Sequence, residues 1–242
     1  MVASNVHGMT DYMAVLEQYS ERFAYVVSRP GALDEQVPSC PGWTVGDLVD
    51  HLADVQSWWE LVLLAGGPMP DENEAAEAAK TGPDRVAGWR AVNARYLDAQ
   101  RKIDPETQVW TWWNSAALTT AATAGWRQAH EAVVHCWDAE NAVGDVRPIE
   151  PALAADGVTE FLTHFLHGKE WVHPPLALEL RATDVDQVWA VATEGRKPHP
   201  VPAGSATDVI NGTAEELYLA LWRRRELDAS QASPFLTWPD LS

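Results

Sequence analysis

The feature that most constrains the fold is a change in the spacing of apolar residues after the segment Val146-Arg147-Pro148. Before this segment, apolar residues recur at the three- and four-residue intervals of an α-helix face. After it, Leu176, Leu178 and Leu180 stand at every second position, which is typical of a half-buried β-strand. The chain is therefore predicted to be helical first and mixed later.

Four long helices are predicted in the first part. Thr44 is the expected N-cap of the second helix, with Asp47 in the capping-box position. The acidic, alanine-rich stretch after Pro70 is predicted to be a loop. Four helices joined by loops indicate a bundle, in which metal and cofactor sites form between facing helices. The predicted helices cover residues 10–29, 45–64, 84–101 and 119–142.

The later part is predicted to hold a sheet and flanking helices, with Thr213 as the N-cap of the last helix. The whole chain is accordingly predicted to be an α+β multi-domain protein, with a four-helix bundle over residues 1–150 and a small C-terminal α+β domain over residues 151–242. The predicted elements are helices at 152–167 and 214–225 and strands at 176–181, 188–193 and 205–211.

Charge and cysteine content restrict the partners. A formal net charge of −18 argues against nucleic acid or an anionic membrane surface as a partner and favours a monomer or small homo-oligomer. No signal sequence or membrane-spanning run is recognisable, and Cys40 and Cys136 have no CxxC spacing, so a reducing cytoplasm is expected. Both cysteines are predicted to be structural.

The segment Trp126 to Glu140, WRQAHEAVVHCWDAE, places Glu131 and His135 one helical turn apart on one face. A carboxylate and an imidazole suit a divalent metal, with zinc the usual choice. His51, in the predicted second helix, is the best candidate for a third ligand. Three protein ligands leave one position open, as in catalytic zinc sites. A helix-surface contact for the pair and a packing role for His51 remain alternatives.

Other side chains are candidates for supporting roles. Asp138 follows His135 at i+3 and is a candidate to orient its imidazole. Arg127 lies one turn before Glu131, where it would either bind an anionic substrate group or neutralise Glu131. Three tryptophans are candidates for lining a cleft, with bundle packing as the alternative: Trp43, Trp58 and Trp113.

Several segments together resemble the mycothiol-dependent maleylpyruvate isomerase family of actinobacteria, whose helical part is similar to the DinB-like bundle. They are VPSCPGWTVGDLVDHLA, RQAHEAVVHCWDAE, AADGVTEFL and NGTAEELYLALWRRR. The resemblance implies that His51, Glu131 and His135 bind zinc (or another divalent metal). It also implies mycothiol as the thiol cosubstrate, which would provide the nucleophile that no sequence motif of this chain provides.

The family also has an arginine in its C-terminal helix that serves the active site. Its Leu-Trp-Gly-Arg pattern favours Arg224 here, although Arg223 replaces the glycine and Arg225 follows. The resemblance thus implies a role for Arg224 in substrate binding. Together with Arg127, whose position beside Glu131 suits an anion, it is the expected partner of the carboxylates of an anionic substrate.

The implied chemistry is addition of a metal-bound thiolate to an electrophilic small molecule. Its best-defined example is the cis–trans isomerisation of maleylpyruvate to fumarylpyruvate. The alternatives are a mycothiol S-transferase acting on another electrophile, a non-catalytic regulatory module that binds metal or thiol, and hydrolysis by zinc-bound water. The sequence does not separate them.

Overall fold

The protein, represented by a computed structural model, is described over residues 10–66, 69–113, 119–166, 170–193, 198–227 and 233–237. It divides into two compact units. The first contains the described residues up to Trp110 and from Thr119 to Asp145, and the second contains Thr111 to Trp113 and the described residues from Val146 onward.

The helices and strands follow in chain order. The helices are α1 (Tyr12–Val27), α2 (Val45–Ala65), α3 (Glu72–Ala78), α4 (Arg85–Lys102), α5 (Ala121–Ala142), α6 (Pro151–His164), α7 (Ala214–Leu221) and α8 (Ser233–Thr237). The strands are β1 (Gln108–Val109), β2 (Thr119–Thr120), β3 (Ala177–Ala182), β4 (Val188–Ala192), β5 (His199–Pro200) and β6 (Asp208–Gly212).

The first unit is a four-helix bundle made of α1, α2, α4 and α5. Helix α2 packs against α4 and α5, and α1 packs against α5 and α4. The predicted capping box at the start of α2 is confirmed, because Thr44 accepts a hydrogen bond from the Asp47 backbone and Asp47 accepts one from the Thr44 backbone. This cap fixes where α2 begins and therefore where His51 lies along it.

The prediction of a loop after Pro70 is wrong for residues 72–78, which form α3. Asp71 caps this helix with its side chain, and acidic residues in the first turn suit the positive end of the helix dipole. Ala75 is buried, and its carbonyl accepts a hydrogen bond from Ser57 on α2. The alanines of this segment favour a helix, and that helix packs against α2 of the bundle.

Helix α5 is buried along most of its length, although it carries many polar side chains. Thr120 caps its start, and Gly144 adopts a left-handed φ of 70° just after its end. Glu140 receives hydrogen bonds from Arg22 on α1, which ties the two helices together. Buried polar groups require hydrogen-bond partners, so residues on the neighbouring helices have to provide partners for the polar side chains of α5.

The second unit consists of helices and a four-stranded sheet with the order β5-β4-β3-β6. Strand β3 pairs antiparallel with β4 and parallel with β6, and α7 packs against α6 and against this sheet. A side chain at Gly157 of α6 would approach the Tyr218 ring of α7 to 2.5 Å, so glycine permits this close helix contact. The capping box at Thr213 is also present.

The predicted fold class, an N-terminal four-helix bundle followed by a small C-terminal α+β domain, is confirmed. The last long helix is shorter than predicted: α7 ends at Leu221, and Arg223 adopts a left-handed φ of 61°. In the described ranges, no helix combines the length and the apolar character needed to cross a membrane.

Candidate metal centre

Helix α5 positions three candidate site residues on one face, one turn apart: Arg127, Glu131 and His135. All three are buried. Arg127 donates a hydrogen bond to Oε2 of Glu131, while Oε1 of the same carboxylate lies 3.2 Å from Nε2 of His135. Of the two roles considered for Arg127, the neutralisation of Glu131 has a direct contact in the structure, and the carboxylate uses its two oxygens for different neighbours.

Helix α2 brings His51 to the same carboxylate. Its Nε2 lies 3.2 Å from Oε1 of Glu131, and its ring centroid lies 4.9 Å from that of His135. One donor atom from each of the three residues lies within 4.8 Å of the other two. The structure thus brings together the three residues that were predicted as metal ligands, although they come from two helices.

The charges of this cluster are strongly coupled. Burial by itself would raise the pKa of Glu131, but Arg127 and His135 hold it well below its usual range. Burial would lower the pKa of His135, but Glu131 and Asp138 raise it to about 9. The Glu131 carboxylate is therefore ionised at neutral pH. In the metal-free protein the His135 imidazole is protonated, and its positive charge partly balances the negative charge of Glu131 and Asp138.

The donor set fits a zinc-like cation. Ligands placed about 2.0–2.1 Å from a tetrahedral zinc lie roughly 3.3 Å from one another, which matches the two 3.2 Å separations around Glu131. Asp138 Oδ2 lies 2.9 Å from Nδ1 of His135, as predicted, so the other ring nitrogen faces Glu131. The side chain of His51 is 30% exposed, against 10% for the other two, so the cluster opens to solvent on the His51 side.

The three predicted cleft tryptophans lie in different surroundings. Trp43 packs against His51, with 5.1 Å between ring centroids, and is partly exposed. Trp58 of α2 packs edge-on against Trp110, which follows β1 in the first unit. Trp113 belongs to the second unit, where its ring lies 4.5 Å from that of His164. Of the three, Trp43 has a direct contact with a candidate ligand.

The three consecutive arginines also lie in the second unit and make different contacts. Arg223 donates hydrogen bonds to the carbonyls of Leu236 and Thr237 in α8, and Arg225 pairs with Glu216. Arg224 donates to the Trp222 carbonyl and lies near its ring. The assignment of Arg224 to substrate stays a prediction.

Sequence reasoning missed the contacts of Ser39. Its hydroxyl donates a hydrogen bond to Asp138 Oδ1, and the sulfur of Cys40 lies 3.9 Å from Oδ2. Cys40 therefore has a partner that was not foreseen, whereas Cys136 is fully buried as expected. The sequence signal that pointed to this segment was its two prolines, because the turn that they form lies directly before the helix that carries His51.

The fold and the site together define a class: a helical bundle with a candidate two-histidine, one-glutamate metal centre, joined to a small α+β domain. Residues 16–140 match the model of the mycothiol maleylpyruvate isomerase N-terminal domain, and residues 152–235 match that of the MDMPI C-terminal domain. The chain belongs to the mycothiol maleylpyruvate isomerase family, and the resemblance drawn from its sequence is confirmed.

Solved structures agree with this assignment at the level of the fold. The chain is similar to a crystal structure of the mycothiol-dependent maleylpyruvate isomerase, with 18% identity, 90% of each chain covered and a TM-score of 0.61. It is also similar to a histidine-to-alanine mutant of that enzyme, with 17% identity, 87% of each chain covered and a TM-score of 0.59. No protein of curated function matches the sequence significantly.

Proposed function

We propose that this protein is an enzyme dependent on a divalent metal, zinc in the first instance, and on mycothiol. In the proposed reaction, the thiolate of mycothiol adds to an electrophilic small molecule. Maleylpyruvate is the best-defined candidate substrate, with fumarylpyruvate as the product. Family membership supports this proposal.

The observation that carries the proposal is the convergence of His51, Glu131 and His135 on a region within 4.8 Å, beside a buried arginine. These three side chains would hold the metal. When bound, a divalent cation lowers the pKa of a coordinated thiol, so that the thiolate is available at neutral pH. Of the chain's two cysteines, Cys136 is fully buried and Cys40 contacts Asp138 Oδ2 through its sulfur at 3.9 Å, which favours a thiol supplied from outside.

The isomerisation conserves every atom of the substrate and of the thiol. Addition of the thiolate would form a C–S bond at one carbon of the cis double bond and move the electron pair of that double bond onto the conjugated carbonyl as an enolate. After rotation about the resulting single bond, return of the pair would re-form the double bond, break the C–S bond and release the thiolate. Arg127 keeps Glu131 ionised and adds positive charge beside the centre. Arg127 and Arg224 are proposed to bind the two substrate carboxylates, since a guanidinium matches a carboxylate with two parallel hydrogen bonds.

The test is turnover of maleylpyruvate by the zinc-loaded full-length protein, with and without mycothiol, followed by identification of the product. Conversion to fumarylpyruvate that requires mycothiol in catalytic amounts would support the isomerase. A conjugate formed with stoichiometric loss of thiol would indicate an S-transferase instead. Turnover without thiol would indicate metal-assisted hydrolysis, and binding of metal and thiol without turnover of any electrophile would indicate a regulatory module.

A further inference from the structure

The segment of residues 37–43, here named the 37–43 loop, has a shape fixed by its own backbone. The Val37 amide donates to the Trp43 carbonyl at 2.9 Å and closes the loop. Inside it, the Cys40 amide donates to Val37, the Trp43 amide donates to Cys40, and Gly42 adopts a left-handed φ of 89°. Proline at two of its positions restricts it further. The loop is therefore a rigid element that contributes no candidate metal ligand.

One end of the loop holds His135 through a buried carboxylate. The Ser39 hydroxyl donates to Asp138 Oδ1 at 2.5 Å, and the Cys40 sulfur lies 3.9 Å from Oδ2. Asp138 is fully buried, and its Oδ2 lies 2.9 Å from Nδ1 of His135. A buried carboxylate with donors on both oxygens cannot rotate freely, so it fixes the orientation of the imidazole that it contacts.

The other end of the same loop holds His51. The Trp43 ring packs against the imidazole, with 5.1 Å between centroids and a 60° angle between the planes. The next residue, Thr44, is the N-cap of α2 and is bonded in both directions to Asp47. The loop, the cap and the helix that carries His51 therefore form one continuous rigid segment.

We propose that the 37–43 loop is a clamp that positions both histidine ligands of the metal centre. Ser39 and Asp138 are positioning residues for His135, and Trp43 is a positioning residue for His51. This inference rests on the metal centre of the proposed function and adds residues that set its affinity and geometry. Loss of such a supporting contact typically weakens metal binding about 10- to 100-fold.

The experiment measures metal binding directly in the full-length protein. Metal-free wild type and the variants Asp138→Asn, Ser39→Ala and Trp43→Leu are titrated with zinc in competition with a chromophoric chelator. The same proteins are then loaded with cobalt(II), whose visible spectrum reports coordination geometry. Two variants serve as matched controls. Glu160→Gln alters a buried carboxylate that contacts His164 at 2.7 Å, and Ser28→Ala removes a hydroxyl that donates to Ala24.

We expect Asp138→Asn to weaken zinc binding about 10- to 100-fold and to change the cobalt spectrum. Ser39→Ala and Trp43→Leu should cause smaller losses in the same direction, while both controls bind as wild type does. Wild-type affinity and spectrum in folded Asp138→Asn and Ser39→Ala would overturn the clamp, and so would an equal loss in Glu160→Gln. A wild type that binds metal but fails to turn over substrate with mycothiol would refute the proposed function and leave the clamp standing.

Discussion

His51 and Glu131 lie 80 positions apart on different helices, yet Nε2 of His51 is 3.2 Å from Oε1 of Glu131. His135 Nε2 approaches the same oxygen at the same distance. A single carboxylate oxygen between two imidazole nitrogens is the arrangement that a shared cation would produce, and it also allows one shared proton. A protein with a shared cation and a protein with a shared proton at this place differ in metal content, which can be measured.

The first prediction concerns that content. Wild-type protein purified without chelator should contain about one zinc per chain, and His51→Ala, Glu131→Gln and His135→Ala should each lose it while remaining folded. Elemental analysis with circular dichroism checks both points. His199→Ala, at an exposed position in the second unit, is the control that should keep its metal. Metal retained in the ligand variants would return these side chains to a packing role.

The second prediction separates the two roles considered for Arg127. Arg127→Met would leave the buried charge of Glu131 without its guanidinium partner, so the metal-free protein should lose about 3–5 kcal/mol of unfolding free energy. A bound divalent cation would take over that neutralisation, and the loss should shrink when zinc is added. Urea unfolding with chelator and with zinc measures both values.

The matched control for this experiment is Arg101→Met, since Arg101 forms a half-exposed ion pair with Glu17. Exposed pairs contribute less than about 1 kcal/mol, and zinc should not alter this value. An Arg127→Met protein that is as stable as wild type without metal would show that Arg127 does not serve to neutralise Glu131.

The third prediction is a pH dependence of metal binding. Burial tends to lower the pKa of His135, but Glu131 and Asp138 raise it to about 9. A histidine must be neutral to bind a metal, so binding at neutral pH displaces this proton. Zinc affinity should therefore rise about tenfold per pH unit for this one proton, and this rise should end near pH 9. Calorimetry in buffers of different ionisation enthalpy measures the proton released.

The same raised pKa has a consequence for the metal-free fold. Because the protonated imidazole is favoured in the folded state, its contribution to stability is complete below about pH 6.5, the ordinary value for histidine, and is lost as the pH rises through about 9. His135→Gln should remove this part of the pH dependence of the unfolding free energy.

For the zinc-binding measurement, an affinity for zinc that does not change with pH would show that His135 is already neutral in the metal-free protein.

Local spacing explains which parts of the site were predictable. Arg127, Glu131 and His135 follow one another at i and i+4, so their shared face follows from helix geometry alone. The contact of Ser39 with Asp138 joins residues 99 positions apart and depends on how the loop before α2 packs on α5. Packing of that kind is not encoded in the spacing of either segment. His51 was chosen from the sequence as the best candidate for a third ligand, and the family resemblance implied the same residue. Its contact with Glu131 is present, and its role as a metal ligand stays a prediction.

Helix ends explain the differences in the fold. The stretch containing α3 was predicted to be a loop because it follows Gly and Pro residues and is strongly acidic, although Asp71 provided a cap and alanine favours helix. The helix α7 was predicted to continue to residue 225 because Leu217, Leu221 and Trp222 share one helical face. It ends earlier, at Leu221, and Arg223 has a left-handed backbone conformation. The Arg223 side chain donates hydrogen bonds to carbonyls of α8, a contact between segments that sequence patterns do not reveal.

The fourth prediction follows from the left-handed backbone of Arg223, whose φ is 61°. Both Arg223→Gly and Arg223→Ala remove the contacts to α8, but only glycine adopts this conformation without strain. The glycine variant should therefore be more stable than the alanine variant by about 1 kcal/mol. At Gln18, an exposed position inside α1, the order of the same two substitutions should be reversed. Thermal unfolding of the four variants checks this, and alanine at least as stable as glycine at position 223 would contradict it.

The fifth prediction tests Arg224 as a substrate-binding residue. If its guanidinium binds a substrate carboxylate, Arg224→Ala should lose about 1.5–3 kcal/mol of transition-state stabilisation, which corresponds to roughly a 10- to 150-fold fall in kcat/KM. Metal content should not change, because none of the proposed ligands is altered. Arg225→Ala is the matched control, since Arg225 pairs with Glu216 at 3.2 Å on the same segment.

Substrate charge provides the sharper comparison for this variant. A neutral amide analogue of the substrate lacks the carboxylate that Arg224 is proposed to bind, so wild type and Arg224→Ala should turn it over at similar rates. An equal loss on the charged and neutral substrates would mean that Arg224 supports the structure of the second unit. Unchanged kinetics on the anionic substrate would remove Arg224 from the site, and a loss in Arg225→Ala instead would assign the carboxylate contact to Arg225.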